Sequence, residues 1–234
     1  GCQVFPEYSF AWLEEEFETV ATRTADPFYI EDETKKTLHE VYKYWKGKTT
    51  SDLATSYMAP EALLAIEHNI FTPGNYFYNG VGHVTVCYGR IAQEGLESIQ
   101  AQAAEALSKV QFGDADYARR THFLQAVIIA CEAACVYAER YADLARKEAE
   151  ACSDPTRKAE LLQIAENCSR VPRHGARNFY EACQSFWFIQ MLLQMESSGH
   201  SISPGRFDQY MYPFFKADLD KGLITREFAQ ELMD

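Results

Sequence analysis

Two histidines in glycine-containing loops carry the clearest chemistry of this chain. A glycine directly precedes each of them, His83 and His200. Glycine lets the backbone approach a ligand closely, and histidine gains or loses a proton near neutral pH. Asn75 and Ser201 in the same loops add hydrogen-bond donors and acceptors without net charge, which suits a small polyhydroxyl or polar substrate. The spacing alone does not show that the four residues meet, and a lone histidine in such a loop more often has a structural role.

Other polar groups in the sequence offer weaker alternatives. A basic cluster near a predicted helix start comprises Arg170, Arg173, His174 and Arg177. An anion could bind there, although a solvated or interface patch is the favoured interpretation. Cys131 and Cys135 lie four residues apart in an alanine-rich helix, a spacing that favours packing over zinc binding. The histidines in helical patterns are expected to be surface or packing residues; they are His39, His68 and His122.

The elements that must position the two loops are mostly helical. A helix over 178–195 leads directly into the His200 loop, and its apolar run indicates a buried segment. The other loop belongs to 71–90, where Val84, Val86 and Tyr88 alternate with polar neighbours and predict a short strand or extended passage. Helical periodicity predicts further helices over about 8–20, 31–45, 60–69, 91–110, 114–151, 155–171, 208–219 and from 225 onward. The fold class is therefore mostly α with a few short strands.

Composition excludes several classes of protein. The 234 residues are 47% hydrophobic and 14% aromatic, enough for a substantial core. A net charge of −12 argues against nucleic acid and against anionic membrane surfaces. No run approaches the ~20 uninterrupted apolar residues of a membrane span, and the first residues do not resemble a signal peptide. Seven cysteines without a CxxC pair predict reduced thiols and a cytoplasmic protein.

Three stretches carry a resemblance to a known family. They are GHSISPGRFDQYMYPFFKADLDKGLIT, GNYFYNGVGHVTVCYGRI and the opening FPEYSFAWL with DPFYIEDETKK. These resemble the glycyl radical enzymes, or pyruvate formate-lyase-like proteins, at matching positions over essentially the whole chain. The resemblance implies the N-terminal part of an α/β barrel surrounded by helices. Residues 1–234 would then form one partial domain, truncated at its C-terminal end.

The residues of the two loops resemble those of one branch of that family. The pattern resembles the B12-independent glycerol and propane-1,2-diol dehydratases, in which residues matching Asn75, His83, His200 and Ser201 surround the substrate hydroxyls. The resemblance implies that His83 is the catalytic residue and that the other three bind substrate. Cys87 departs from the pattern, because an acidic residue is expected after HVTV.

The resemblance also implies what this chain does not contain. The radical cysteine of a Gly-Cys-x-Glu motif and the radical glycine of an RVAGY-like motif are absent from the sequence. We therefore expect the 234-residue chain to be inactive alone and to bind no cofactor, and we expect no metal site and no B12 in the enzyme. A homodimer, a radical-SAM activating enzyme and an anaerobic setting are implied by the resemblance only.

Two alternatives stay open. The first keeps the family but changes the substrate, with the chain belonging to another glycyl radical C–O, C–N or C–S lyase such as a hydroxyproline dehydratase or a choline lyase. The resemblance implies that the hydroxyproline enzymes carry an acidic residue in place of Ser201 and that the choline lyases carry one in place of His83. The alternative outside that family is a helical interaction domain without chemistry, in which His83 and His200 lie on unrelated surfaces.

Overall fold

We describe the protein from a computed structural model that defines residues 13–72, 84–196 and 201–234. Three predicted site residues, Asn75, His83 and His200, lie outside these described residues, as does the start of the first predicted helix. The chain divides into two compact units. The first contains Gly1–Val84 and Leu193–Ser203, and the second contains Thr85–Leu192 and Pro204–Asp234. The prediction of one partial domain is not tested by this division and stays a prediction.

The described helices and strands follow one another in a simple order. The helices are α1 Asp32–Trp45, α2 Thr50–Ser56, α3 Pro60–Glu67, α4 Tyr88–Glu94, α5 Leu96–Ser108, α6 Tyr117–Ala151, α7 Pro155–Arg170, α8 Phe179–Glu196, α9 Phe207–Asp220 and α10 Arg226–Glu231. The strands are β1 Val84–Thr85, before α4, and β2 Ile202–Ser203, after α8, and they pair in a two-stranded sheet. This confirms the predicted fold class, mostly α with a few short strands.

The first unit has a small apolar core at its N-terminal side. Its buried members are Leu13, Phe17, Val20, Ile30 and Tyr42. The first three were expected on one helical face, and residues 13–16 are indeed helical. Tyr42 is the buried residue of α1, whose predicted bounds are confirmed to within a residue.

Helix α2 was not predicted from the sequence. It has seven residues, too few for an apolar periodicity to show. Its start is fixed by a capping box, in which the Asp52 backbone N–H donates to Thr49 Oγ1 at 3.0 Å while the Asp52 carboxylate accepts from the Thr49 N–H at 3.1 Å. Such reciprocal bonds satisfy two backbone donors that would otherwise lack a helical partner.

The second unit is built around the 35-residue helix α6. It packs along α5 and α7 through a face of small residues, and this face allows close approach of the neighbouring helices. The buried positions on α6 are Cys135, Ala138, Ala142, Ala145 and Ala149. Cys168 of α7 and Phe188 of α8 join this core. The predicted cap of α7 is confirmed, because the Asp154 carboxylate accepts from Thr156 N–H at 2.8 Å.

Several boundaries in the second unit differ from prediction. The helix expected over 91–110 is two helices, broken at Gly95. At this break the Leu96 and Glu97 N–H groups donate to the carbonyls of Pro172 and Arg173, at 2.8 and 3.0 Å. The final helix, expected to continue to the last residue, ends at Glu231 instead.

Helix α6 is long and apolar enough to cross a membrane by length and composition. A single helix of this kind is weak evidence for a membrane span, because core helices of soluble proteins pass the same test. Only 17% of its most apolar window is buried in this structure. The expectation of no membrane partner therefore stays a prediction.

Candidate functional site

The strand pair brings together the chain segments that follow the two histidine-containing loops. The Val84 backbone N–H donates to the Ser201 carbonyl at 3.2 Å. Val84 follows His83 in the sequence, and Ser201 follows His200. The structure thus joins the immediate neighbours of both predicted histidines, although those histidines themselves lie outside the described residues.

Ser201 is the predicted site residue that the structure describes. Its backbone φ is +57°, in the left-handed region that non-glycine residues seldom adopt. The residue is exposed. Backbone strain of this kind concentrates at functional sites, where the surrounding structure maintains it.

An aromatic cluster lies within the second unit. Its members are Tyr88, Phe186, Phe207 and Tyr210. The Tyr88 ring centroid lies 4.8 Å from that of Phe186 and 6.2 Å from that of Tyr210. Tyr88 is 2% exposed, and its hydroxyl donates to the Gln190 side-chain oxygen. Burial raises the pKa of Tyr88, so its hydroxyl stays protonated and able to donate near neutral pH.

The residues of this cluster were not predicted to matter for the site. Tyr88 was expected to continue an extended passage, but it begins α4. The signal that could have found the cluster is Gln190, a polar residue inside the apolar run 186–195, because an amide on a largely apolar helix needs a hydrogen-bond partner.

The residues of the basic cluster form ion pairs within the protein, and their side chains remain between about a third and a half exposed. Arg173 Nη2 lies 2.8 Å from Glu132 Oε1, and His174 Nδ1 lies 3.0 Å from Glu97 Oε2. Glu181, which is fully buried, pairs with the two remaining arginines, Arg170 and Arg177. Its carboxylate accepts from the Arg177 backbone N–H at 2.7 Å and from Arg177 Nε at 2.9 Å, and it lies 3.6 Å from Arg170 Nε.

These pairs neutralise the cations, so an anion would have to displace a carboxylate to bind. The pairing with Arg173 lowers the pKa of Glu132 to about 2, which keeps that carboxylate charged at neutral pH. The sequence shows the basic residues but not their pairing with Glu97 and Glu132, because these carboxylates come from two other helices and are distant in sequence.

The remaining candidates behave as structural groups. Six cysteines in the described part of the chain are free thiols, and burial raises the pKa of Cys135 to about 11. Within 13–72, 84–196 and 201–234, no three His, Cys, Asp or Glu side chains come together as metal ligands. His68 and His122 are exposed as predicted, and His39 Nδ1 lies 2.7 Å from Glu14 Oε1 at the surface.

Comparison with known proteins defines the family. A profile of the pyruvate formate lyase-like family matches residues 1–234. The chain therefore belongs to this family, which confirms the resemblance that the loop motifs carry.

Two solved structures and one curated protein are similar to this chain over almost its whole length. A structure concerned with 1,2-propanediol dehydration in Roseburia inulinivorans is 59% identical, with a TM-score of 0.83, and the match covers 99% of this chain and 28% of that one. The glycerol-bound B12-independent glycerol dehydratase of Clostridium butyricum is 52% identical, with a TM-score of 0.80, over 98% of this chain and 29% of that one. The (2S)-3-sulfopropanediol dehydratase of Klebsiella oxytoca is 39% identical over 99% of this chain and 29% of its own length. The chain thus spans less than a third of each of these relatives.

Proposed function

We propose that the protein containing this chain is a glycyl radical dehydratase that removes water from a small neutral diol or triol, such as propane-1,2-diol or glycerol, to give an aldehyde. The observation that carries the proposal is the hydrogen bond between Val84 and Ser201. It supports a shared pocket, because each of these residues adjoins a predicted site histidine. The two solved structures compared above, at 59% and 52% identity, concern propanediol dehydration and glycerol dehydratase, which supports a substrate of the same class.

The reaction divides into steps that need different groups. A radical supplied by residues that this chain does not contain would remove a hydrogen atom from C1 of the diol. The neighbouring C–O bond then breaks, the hydroxyl leaves as water after gaining a proton, and the C1 hydroxyl loses its proton. Return of a hydrogen atom to the carbon that lost the hydroxyl completes the aldehyde.

This chain would supply the polar side of the pocket. His83 donates a proton or a strong hydrogen bond to the leaving hydroxyl, a role suited to a group that titrates near neutral pH. Asn75 and Ser201 orient the hydroxyls, and His200 supports Ser201 or the substrate. Orientation of this kind contributes several kcal/mol to lowering the barrier.

The described arginines that lie near Ser201 and Val84 in sequence are both paired with carboxylates, which supports a neutral substrate over an anionic one. A sulfonated diol would need an available cation to balance its charge. Arg206, the described cation nearest to Ser201 in sequence, is paired with Asp208, with Nη2 2.9 Å from Oδ2. Arg90, which follows β1, is paired with Glu94 at 3.1 Å. Neutral diols need no such partner.

The setting of the enzyme is part of the same proposal. A homodimer, activation by a separate radical-SAM enzyme, an anaerobic cytoplasmic location and independence from B12 all follow from the resemblance. They are tested by the oligomeric state, by activity with and without the activating enzyme, and by cell fractionation.

The experiment is a kinetic comparison in the full-length, activated protein. We expect turnover with propane-1,2-diol or glycerol and much weaker turnover with hydroxyproline, choline or a sulfonated diol. His83→Ala should lower kcat by about a hundredfold or more, in line with the loss of a general acid, with a smaller change in KM. His122→Ala, at an exposed position on α6, is the matched control and should behave as the wild type.

Two results would contradict the proposal. An unchanged kcat in His83→Ala would remove the role of this histidine. A wild-type protein that is activated but does not turn over either diol would remove the substrate class.

A further inference from the structure

The strand pair beside Ser201 is too short to hold itself in place. Each strand has two residues, and an isolated two-stranded pair is marginally stable at best in water. Ser201 also keeps an unfavourable backbone conformation, with φ +57°. Contacts outside the strands must therefore fix their spacing and register.

Tyr210 of α9 contacts the segments that follow both strands. Its hydroxyl donates to the Pro204 carbonyl at 2.9 Å, one residue beyond the end of β2. Its Cβ lies against Gly89, where a side-chain carbon would come within 2.8 Å of it. Gly89 is only four residues beyond the end of β1, so one side chain contacts the chain after each strand.

Neighbouring contacts keep Tyr210 in place. Its ring stacks on Tyr88, with centroids 6.2 Å apart, and meets Phe207 edge-on at 5.6 Å. Tyr88 is in turn hydrogen-bonded to Gln190 of α8, the helix that leads to Ser201. The segments after the strands also touch directly, because a carbon added at Gly205 would come within 2.6 Å of Thr85 Cγ2.

We propose that Tyr210 is a positioning residue for the candidate site, which it serves by fixing the chain after β1 relative to the chain after β2. Through these two connections it holds the register of the strand pair, and with it the hydrogen bond that the Val84 N–H donates to the Ser201 carbonyl. The catalytic part of this inference rests on the proposed function. The structural part, the effect on the strand pair, does not.

The experiment compares Tyr210→Phe with the wild type in the full-length protein. The variant removes one hydroxyl and keeps the ring, so the aromatic packing persists. We expect hydrogen exchange at the Val84 amide to become several-fold faster, because its bond to Ser201 opens more often. We also expect kcat with the diol substrate to fall about tenfold, with KM changed much less, since misplaced groups mainly lose catalytic orientation.

A second variant and a control separate positioning from general damage. Gly89→Ala places a methyl group against Tyr210, so it should accelerate the same amide and lower kcat. Tyr212→Phe removes a hydroxyl from an exposed tyrosine on the same helix and should change neither quantity. The thermal midpoint and exchange at Ala138, in the α6 core, should stay at wild-type values in Tyr210→Phe.

The outcomes distinguish this inference from the proposed function. If Tyr210→Phe leaves both Val84 exchange and kcat unchanged while the wild type dehydrates diols, the positioning role is wrong and the proposed function stands. If the wild type turns over no diol but Val84 exchange still rises in Tyr210→Phe, the proposed function is wrong and the structural effect stands. If the thermal midpoint and the Ala138 amide change as much as the Val84 amide, Tyr210 is a general stability residue and the inference is overturned.

Discussion

Ser201 shows how a residue of ordinary type can be distinguished by its backbone. A left-handed φ in a non-glycine residue costs of order 1–3 kcal/mol and persists only when the surroundings impose it. One such constraint is the hydrogen bond that the Ser201 carbonyl accepts from the Val84 N–H. Its side chain and its place after a Gly-His pair were visible in the sequence, whereas its conformation was not, because φ depends on the strand pairing across more than a hundred residues.

The cysteines differ in burial, and therefore in the reactivity that we expect of their thiols. Burial raises the pKa of the Cys168 thiol to about 11, and this residue is 4% exposed. Cys135 is buried as well. Cys87 is exposed at the residue preceding α4. The thiolate is the reactive form, so a raised pKa and burial both slow alkylation.

We therefore predict selective labelling of native protein by iodoacetamide at about pH 8. Cys87 should be alkylated well before Cys135 and Cys168, and peptide mass spectrometry would measure the order. Denaturing the protein first is the control, in which all three should react at similar rates. Equal labelling of Cys87 and Cys168 in the native protein would contradict the burial described for α7.

At the scale of elements, the sequence predicted helices well where caps and breaks are local. Asp154 and Pro155 mark the start of α7 because a side-chain cap and a fixed proline φ act within the same turn. The break at Gly95 was missed because its cause is distant. The partners of the Leu96 and Glu97 N–H groups are carbonyls of Pro172 and Arg173, and no periodicity within 91–110 encodes them.

The close approach of Gly95 to the Arg173 backbone predicts that Gly95→Ala lowers stability substantially. The φ of Gly95 is +78°, and an added Cβ would lie 2.3 Å from the Arg173 carbonyl oxygen. We expect a destabilisation of more than about 1 kcal/mol, with faster hydrogen exchange at the Leu96 and Glu97 amides. Gly113→Ala is the matched control, because a Cβ there has no atom within 4 Å.

Chemical denaturation of the two variants in the full-length protein would measure the difference. Equal midpoints for Gly95→Ala and Gly113→Ala would show that the α4–α5 junction tolerates a side chain, contrary to the packing described above.

At the scale of the whole molecule, the chain exposes large apolar side chains on α6. Ile129 is 67% exposed and Val136 is 50% exposed, and their spacing of seven residues places them on one face of the helix. The chain spans less than a third of the relatives it matches. We expect this face to be covered in proteins of the relatives' full length. The sequence predicted α6 and its apolar content but not which face would be uncovered, since that depends on which neighbours are present.

We predict that the 234-residue chain alone binds the dye 1-anilinonaphthalene-8-sulfonate through this face, because contiguous exposed apolar patches mark interaction surfaces. The double variant Ile129→Lys/Val136→Lys should lose a large part of the dye fluorescence and keep its helical circular dichroism. The control His122→Lys/Gln125→Lys adds the same positive charge at exposed polar positions of α6 and should keep the fluorescence. If both double variants lower it equally, charge and not the apolar face governs dye binding, and the face has no special role in the isolated chain.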